Sequence, residues 1–321
     1  MTELLQVKQL TRSFDGKKVV DGVTFSVAKG EAFGLLGPNG AGKSTTMMMI
    51  CGIIPPDDGT VTLAGMALTG QKSDSRQQLG VVPQDLAIYP DLTARENLMF
   101  FGALYHLRPA QLKQRVDHVL DRVGLTARAS DLAGSFSGGM KRRLNFAAAI
   151  LHQPAVLILD EPTVGVDPHS RSHLLDCVRE LRDQGTAILY CSHYMEEVEA
   201  VCTSAAIMDH GKILTAGSME QLLRRIPGEV EVTVPPDAAP DALAQIAADG
   251  LNENRDGTGQ VLHFRDTEFR AEPGTSGALS IRVASAIRQL AEAQIPVLAI
   301  RTLEPNLERL FLELTGSSLR D

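Results

Sequence analysis

The consecutive residues Gly37, Pro38, Asn39, Gly40, Ala41, Gly42, Lys43 and Ser44, followed by Thr45, satisfy the spacing G-x-x-x-x-G-K-[ST] at every fixed position. Glycines in such a run let the backbone curl so that successive N–H groups point into one concavity and hold an anion. The lysine of the pattern, here Lys43, reaches the β- and γ-phosphates of a nucleotide, and the hydroxyl of Ser44 offers a ligand to Mg²⁺. The apolar run at 32–36 reads as a buried strand ahead of the loop. A helix starting near Lys43 adds the positive end of its dipole. The competing dinucleotide pattern G-x-G-x-x-G, begun at Gly40, fails at Thr45. Met47, Met48 and Met49 read as core packing.

A second acidic feature complements the loop. Residues 156–159 are four apolar residues in a row, followed by Asp160 and Glu161. Asp160 falls at the C-terminal end of that strand, where open α/β sheets bind ligands, and can hold Mg²⁺ directly or through water. Period-two alternation sends Glu161 in a different direction, free to orient or activate an attacking water. A third strand, read over residues 186–193, ends in His193, which can donate to the γ-phosphate. His152, His169, His173 and His210 read as structural or solvated.

In "FSGGMKRRL", residues 136–144, Ser137, Gly138 and Gly139 supply hydroxyl and backbone donors at what reads as a helix start, with Ser137 as its cap. That end attracts an anion. Lys141, Arg142 and Arg143 then add positive potential or form a solvated helix face.

The elements that carry these residues follow from pattern. Residues of about 85–153 read as a helical insertion. Within it Leu112, Val116, Val119, Leu120 and Val123 share one face of a helix beginning at Pro109 and stopping at Gly124. The chain has 321 residues, 44% hydrophobic and 22% charged, enough for one large or two ordinary domains. Its net charge of −8 argues against a general grip on nucleic acid. From Ile226 onward there are 8 Arg, no Lys and 15 Asp plus Glu, a balance of 8 − 15 = −7. The shift falls at Ile226-Pro227-Gly228, a turn or linker signal, and a boundary is placed there: residues 1–225 and 226–321.

Beyond that boundary, "EVEVTV", "GQVLHF" and "PVLAIRT" read as strands and "ALSIRVASAIRQLAEA" as a helix, a small α+β arrangement without a catalytic constellation. Leu307, Leu310, Phe311 and Leu314 share a helical face. The apolar runs are too short to span a bilayer, and no signal peptide is expected. Cys51, Cys177, Cys191 and Cys202 have neither zinc nor disulfide-framework spacing and read as reduced thiols.

Taken in order, these motifs resemble the nucleotide-binding subunit of ATP-binding-cassette (ABC) transporters over residues 1 to about 223. The resemblance implies an α/β phosphate-loop fold, mainly parallel, with a helical subdomain. It also implies ATP and Mg²⁺ as cofactors. Phe14 matches the aromatic that stacks on adenine. Gln84, in "VVPQD", matches the glutamine that links Mg²⁺ to the transmembrane partner. Ser137 to Gly139 match the family signature, Asp160 and Glu161 its second carboxylate motif, Asp167 the aspartate loop and His193 the switch histidine.

The signature departs from leucine-serine-glycine-glycine-glutamine at Phe136 and Met140, which puts any contact of the lost amide in doubt. Serine-glycine-glycine-methionine before basic residues resembles the daunorubicin-resistance-type exporter ATPases. So do "EPTVGVDPHSR" and the C-terminal "LEPNLERLFLELTG". The family arrangement implies a head-to-tail pair of this chain and a separate integral membrane permease. It implies a cytoplasmic protein, peripheral on the inner face of the cell membrane through that permease, with no nucleic-acid partner. A soluble ABC ATPase of translation or DNA maintenance is the alternative. The single phosphate loop and the lack of a long heptad tract disfavour it. A non-hydrolysing regulator would have no need of Glu161 and His193.

Overall fold

Two sheets of opposite character organise the first part of the chain. In this computed structural model the described residues are 2–68, 74–238, 243, 246, 250–253, 259–265 and 277–315. Strands β1 (Glu3–Phe14), β2 (Lys17–Ala28), β4 (Asp58–Leu63) and β5 (Met66–Ala67) pair antiparallel in the order β2-β1-β4-β5. The second sheet holds β3 (Ala32–Leu36), β6 (Leu79–Val82), β7 (Val156–Asp160), β8 (Ala187–Ser192), β9 (Ser204–Asp209) and β10 (Lys212–Ser218). Its order is β10-β9-β3-β8-β7-β6, parallel except for β10.

The two patterns of burial explain the difference. β3 is apolar throughout and β8 is apolar up to its terminal Ser192, and both are buried along their whole length, as strands covered on both faces must be. β1 instead buries Leu5 and Val7 and exposes alternate residues, because only one of its faces meets the core. The core gathers Leu5, Val27, Leu35 and Leu189 of the two sheets with Met49 of the helix that follows β3. The antiparallel sheet has no counterpart in the sequence reading above.

Helix α1 (Lys43–Ile50) follows β3 directly. Three helices stand between β6 and β7: α2 (Ala94–Leu104), α3 (Pro109–Arg122) and α4 (Gly138–Ile150). Thr93 and Glu96 form a reciprocal capping box at α2, and Pro109 opens α3, where its missing N–H has no helical partner to lose. Leu112, Val116, Val119 and Leu120 are buried, as the apolar stripe predicts. α5 (Pro168–Asp183) and α6 (Met195–Val201) follow β7 and β8. His152 stacks on Tyr105 at 3.5 Å and lies 3.1 Å from Leu79 O, and burial pushes its pKa down to about 4, so it is structural. The cysteines are free.

Contacts separate Glu220–Gly316 as a second compact unit. It is an antiparallel sheet in the order β12 (Gly250–Glu253), β13 (Gln260–Arg265), β11 (Glu229–Val234), β14 (Ala299–Leu303), with helices Gly277–Glu292 and Leu307–Thr315. Val232, Val234, Leu262, Phe264 and Leu290 form its core. Glu229, on the polar face, accepts from Arg309 Nη2 at 3.1 Å and meets His263 Nδ1 at 2.8 Å. β14 starts at Ala299, three residues later than the expected Pro296, where its register on β11 begins opposite Thr233. Leu314 is 41% exposed, while Leu307, Leu310 and Phe311 are buried, so the expected four-residue face is three residues wide. Residues beyond 315 in the quoted C-terminal segment lie outside the described residues.

Candidate nucleotide site

The phosphate loop joins the C-terminal end of β3 to α1. Gly42 has φ +105°, and a Cβ there would come within 2.6 Å of Val19 O. Gly40 has φ +81°, and a Cβ there would meet nothing within 4 Å, so the loop packs on one side and faces open space on the other. Lys43 is 7% exposed. Its Nζ donates to Gly37 O at 2.6 Å and to Pro38 O at 3.0 Å. An ammonium has three hydrogens, so one is left for a phosphate oxygen. Burial lowers the Lys43 pKa, while Cys191, Glu161 and Asp160 pull it upward. Met47 and Met49 are core residues as expected, but Met48 is 37% exposed.

Ser44, Gln84 and Asp160 line one cavity of about 270 Å³, together with Met48. A hydroxyl, an amide and a carboxylate are the oxygen donors a hard divalent cation takes, so these residues fit Mg²⁺. Burial, and after it the charge of Glu161, raise the Asp160 carboxyl to about 6 against the opposing pull of Lys43. A bound cation would favour the charged carboxylate that burial disfavours.

Glu161 lies just past β7 with φ +45°, in the left-handed region. That turn, and not the strand alternation invoked above, sets its direction. Its N–H donates to Cys191 O at 2.9 Å, which fixes it beside β8. The side chain is buried, and both of its oxygens are engaged. His193 Nδ1 lies 2.9 Å from Oε1, and Gln84 Nε2 donates to Oε2 at 3.3 Å. The structure therefore brings together Lys43, Ser44, Gln84, Asp160, Glu161 and His193 at the C-terminal ends of β3, β6, β7 and β8.

The remaining motif residues stand apart from that cavity. Ser137 caps α4, its hydroxyl oxygen accepting from Met140 N at 3.3 Å, so its own proton is free to donate outward. Ser137 and Gly138 are exposed, and Gly139 is buried. A Cβ on Gly139 would sit 2.4 Å from Ser170 Oγ and 2.8 Å from Asp167 Oδ2, so the close approach of α5 requires this glycine. Asp167 caps α5, accepting from Ser170 N at 3.0 Å, and that bond holds its carboxyl below the ordinary value. Phe14, at the end of β1, is 43% exposed, with the Arg12 guanidinium 5.0 Å from its ring centre.

Two residues of the basic run after the signature, Arg142 and Arg143, are tied to backbone carbonyls and do not form a freely solvated face. Arg142 is buried and donates to Gln84 O at 2.5 Å, Pro83 O at 3.4 Å and Val164 O at 3.2 Å. Arg143 donates to Val123 O at 2.8 Å, closing the end of α3. Sequence reading also missed Glu197. It is buried in α6 and accepts from Tyr190 Oη at 2.8 Å and from Thr163 Oγ1 at 2.6 Å. It thereby ties the loop after Glu161 to the strand before His193. A carboxylate two positions past the α6 start gave no signal in the sequence, because its partners come from distant segments.

A mainly parallel sheet with a phosphate loop after one strand and an acidic pair after another defines a phosphate-loop nucleoside triphosphatase. The comparisons narrow this. A family profile described as ABC transporter matches residues 20–164. The chain is 43% identical to the linearmycin resistance ATP-binding protein of Bacillus subtilis, over 99% of this chain and 100% of that protein. It is 36% identical to the Nod factor export ATP-binding protein I of Ralstonia nicotianae, over 100% of this chain and 96% of that one. Among solved structures, an ATP-binding subunit of an ABC transporter superposes with TM-score 0.64 at 33% identity, covering 69% of this chain and 92% of that one. This chain belongs to the family of ATP-binding subunits of ABC transporters; it binds and hydrolyses ATP as the subunit of such a system, and the relatives it matches along nearly its whole length are named for Nod factor export and linearmycin resistance. Among the described residues no helix is long and apolar enough to cross a membrane.

Proposed function

We propose that the chain powers export through a separate integral membrane permease, working as a head-to-tail pair that shares two ATP sites. The observation that carries the pairing is the placement of the signature. Ser137 and Gly138 are exposed at the N-terminus of α4 and line no part of the cavity that holds Ser44, Gln84 and Asp160. Their anion then comes from the facing subunit, and the two-fold contact is isologous.

In this reading residues 1–225 are the cassette, with its helical subdomain at about 85–153, and residues 226–321 an accessory domain. Phe14 stacks on the adenine. Residues 37–45 wrap the phosphates, and Lys43 places its remaining hydrogen on them. Ser44, Gln84 and Asp160 hold Mg²⁺, which when bound neutralises charge on the phosphates. Glu161, positioned by His193 and Gln84, takes the proton of the attacking water. Asp167 holds the start of α5 against the signature glycines.

Gln84 bonds Glu161 and also lends its carbonyl to Arg142, so the hydrolytic carboxylate and the helical segment move together. Beyond it, Tyr89 and Phe100 are exposed and meet edge to face at 5.0 Å, an apolar patch of the kind that seats a partner. The permease docks there and holds the chain on the cytoplasmic face of the membrane.

Mixing two inactive chains tests the shared site. Ser137→Arg chains and Lys43→Ala chains should regain one working site per heterodimer, read as single-turnover hydrolysis. Absence of any recovery in a heterodimer verified by mass would defeat the trans arrangement. Co-purification of an integral membrane protein with the chain from detergent tests the permease.

A further inference from the structure

The nucleotide residues gather at the C-terminal ends of the parallel strands. A second cavity, of about 390 Å³, opens at the opposite ends, beside the residues that lead into β7 and β8. Its lining includes Lys29, Arg115, His118, Arg122, Gln153 and Gln184. Among the described residues that line it there is no Asp or Glu. The volume falls within the range of small-molecule sites.

Each cation is held in place by the fold. A Cβ on Gly185 would meet Lys29 Cε at 2.8 Å, so the lysine chain lies directly over the bare glycine. Arg115 Nε donates to Leu151 O at 3.0 Å, at the end of α4. Arg122 Nη2 donates to Gln184 Oε1 at 3.0 Å, and its Nε lies 3.9 Å from Glu180 Oε2, whose side chain is mostly exposed. Carbonyl and amide acceptors orient the guanidinium groups but do not cancel their charge.

We propose that this cavity binds a small multivalent oxyanion of the diphosphate class, held by Lys29, Arg115, His118 and Arg122. The bound anion spans α3 and the turns before β7 and β8, and so clamps the helical segment to the sheet. The ionisation of the pocket agrees. Burial lowers the His118 pKa, and Arg115 and Arg122 lower it further, with Asp121 opposing. Arg115 is lowered by burial and then by Arg122. An anion placed among them reverses the cation–cation part of both shifts.

Inorganic pyrophosphate is the probe, with the phosphate loop first saturated by Mg²⁺ and a non-hydrolysable ATP analogue. Calorimetry should then show pyrophosphate binding, and the His118 imidazole, followed by NMR, should titrate at higher pH with the anion present. Lys29→Glu, at an exposed position, should weaken binding at least about tenfold while circular dichroism and affinity for the ATP analogue stay unchanged. No heat and no His118 movement at millimolar pyrophosphate overturns the site. So does a Lys29→Glu chain that binds as the parent does.

Discussion

His193 Nδ1 lies 2.9 Å from Glu161 Oε1, joining the residue past the end of β8 to the residue past the end of β7. Adjacent parallel strands fix the two backbones, and the left-handed turn at Glu161 aims its carboxylate across the gap. Glu161→Gln keeps the shape of the side chain and removes the base. Turnover should fall by about 10² to 10⁴, the span that a positioned base supplies, while ATP affinity by equilibrium dialysis stays near the parent's. Parental turnover in this variant would rule out Glu161 as the proton acceptor.

Asp160 gives a stability prediction of unusual sign. Its folded carboxyl is raised to about 6 from an ordinary 3.8, chiefly by burial. Between those values the folded chain holds a proton that the unfolded chain has released. Stability from this group is therefore greatest below pH 4 and is lost as pH rises toward 6 and beyond. Asp160→Asn removes the loss. At pH 8, without nucleotide or metal, it should stabilise the chain by on the order of 1–2 kcal/mol in urea melts while abolishing Mg²⁺-dependent hydrolysis. A variant less stable than the parent at pH 8 would contradict the burial argument.

The two signature glycines should separate by experiment. A Cβ on Gly138 approaches no closer than 3.6 Å, to Gly165 O, whereas one on Gly139 meets Ser170 Oγ at 2.4 Å. Gly138→Ala should fold with parental melting temperature, so any loss of hydrolysis in it reports on the exposed anion face. Gly139→Ala must push α5 away from α4, and strain of this kind costs about 1–3 kcal/mol. Equal thermal melts for both variants would show that the contact at Gly139 is slack.

What the sequence made legible was local. The phosphate loop, the apolar runs ending at Asp160 and His193, and the α3 stripe each lie within a short window whose period or spacing declares them. The antiparallel sheet was not legible, because β1 reaches β2 and β4 through irregular registers that shift several times. Glu161 was found by its position, but its direction came from a backbone turn that no alternation rule contains. Gly139 was read as an anion donor from its motif, yet its lack of a side chain answers to Ser170, thirty-one positions away in sequence. Arg142 and Arg143 misled for a related reason: charge in a helix looks solvent-facing until its acceptors, carried by distant segments, are in place.

Arg142 is where that error turns into a test. Its guanidinium serves Pro83 O and Gln84 O on one side and Val164 O on the other, so one buried side chain joins the segment after β6 to the loop after β7. Burial lowers its pKa, with Asp85 and Glu161 opposing, and it remains charged at any working pH. Truncation to alanine strands three carbonyl oxygens and opens a gap. Arg142→Ala should cost about 2–4 kcal/mol by urea melts, as expected for losing several hydrogen bonds from a charged donor. Arg142→Lys offers a point charge that cannot fork across both loops, so it should recover part of the stability and little of the hydrolysis. If the arginine were a surface charge near the signature, lysine would restore hydrolysis fully and alanine would melt as the parent does. Measuring melts and steady-state ATPase on both variants decides between the two.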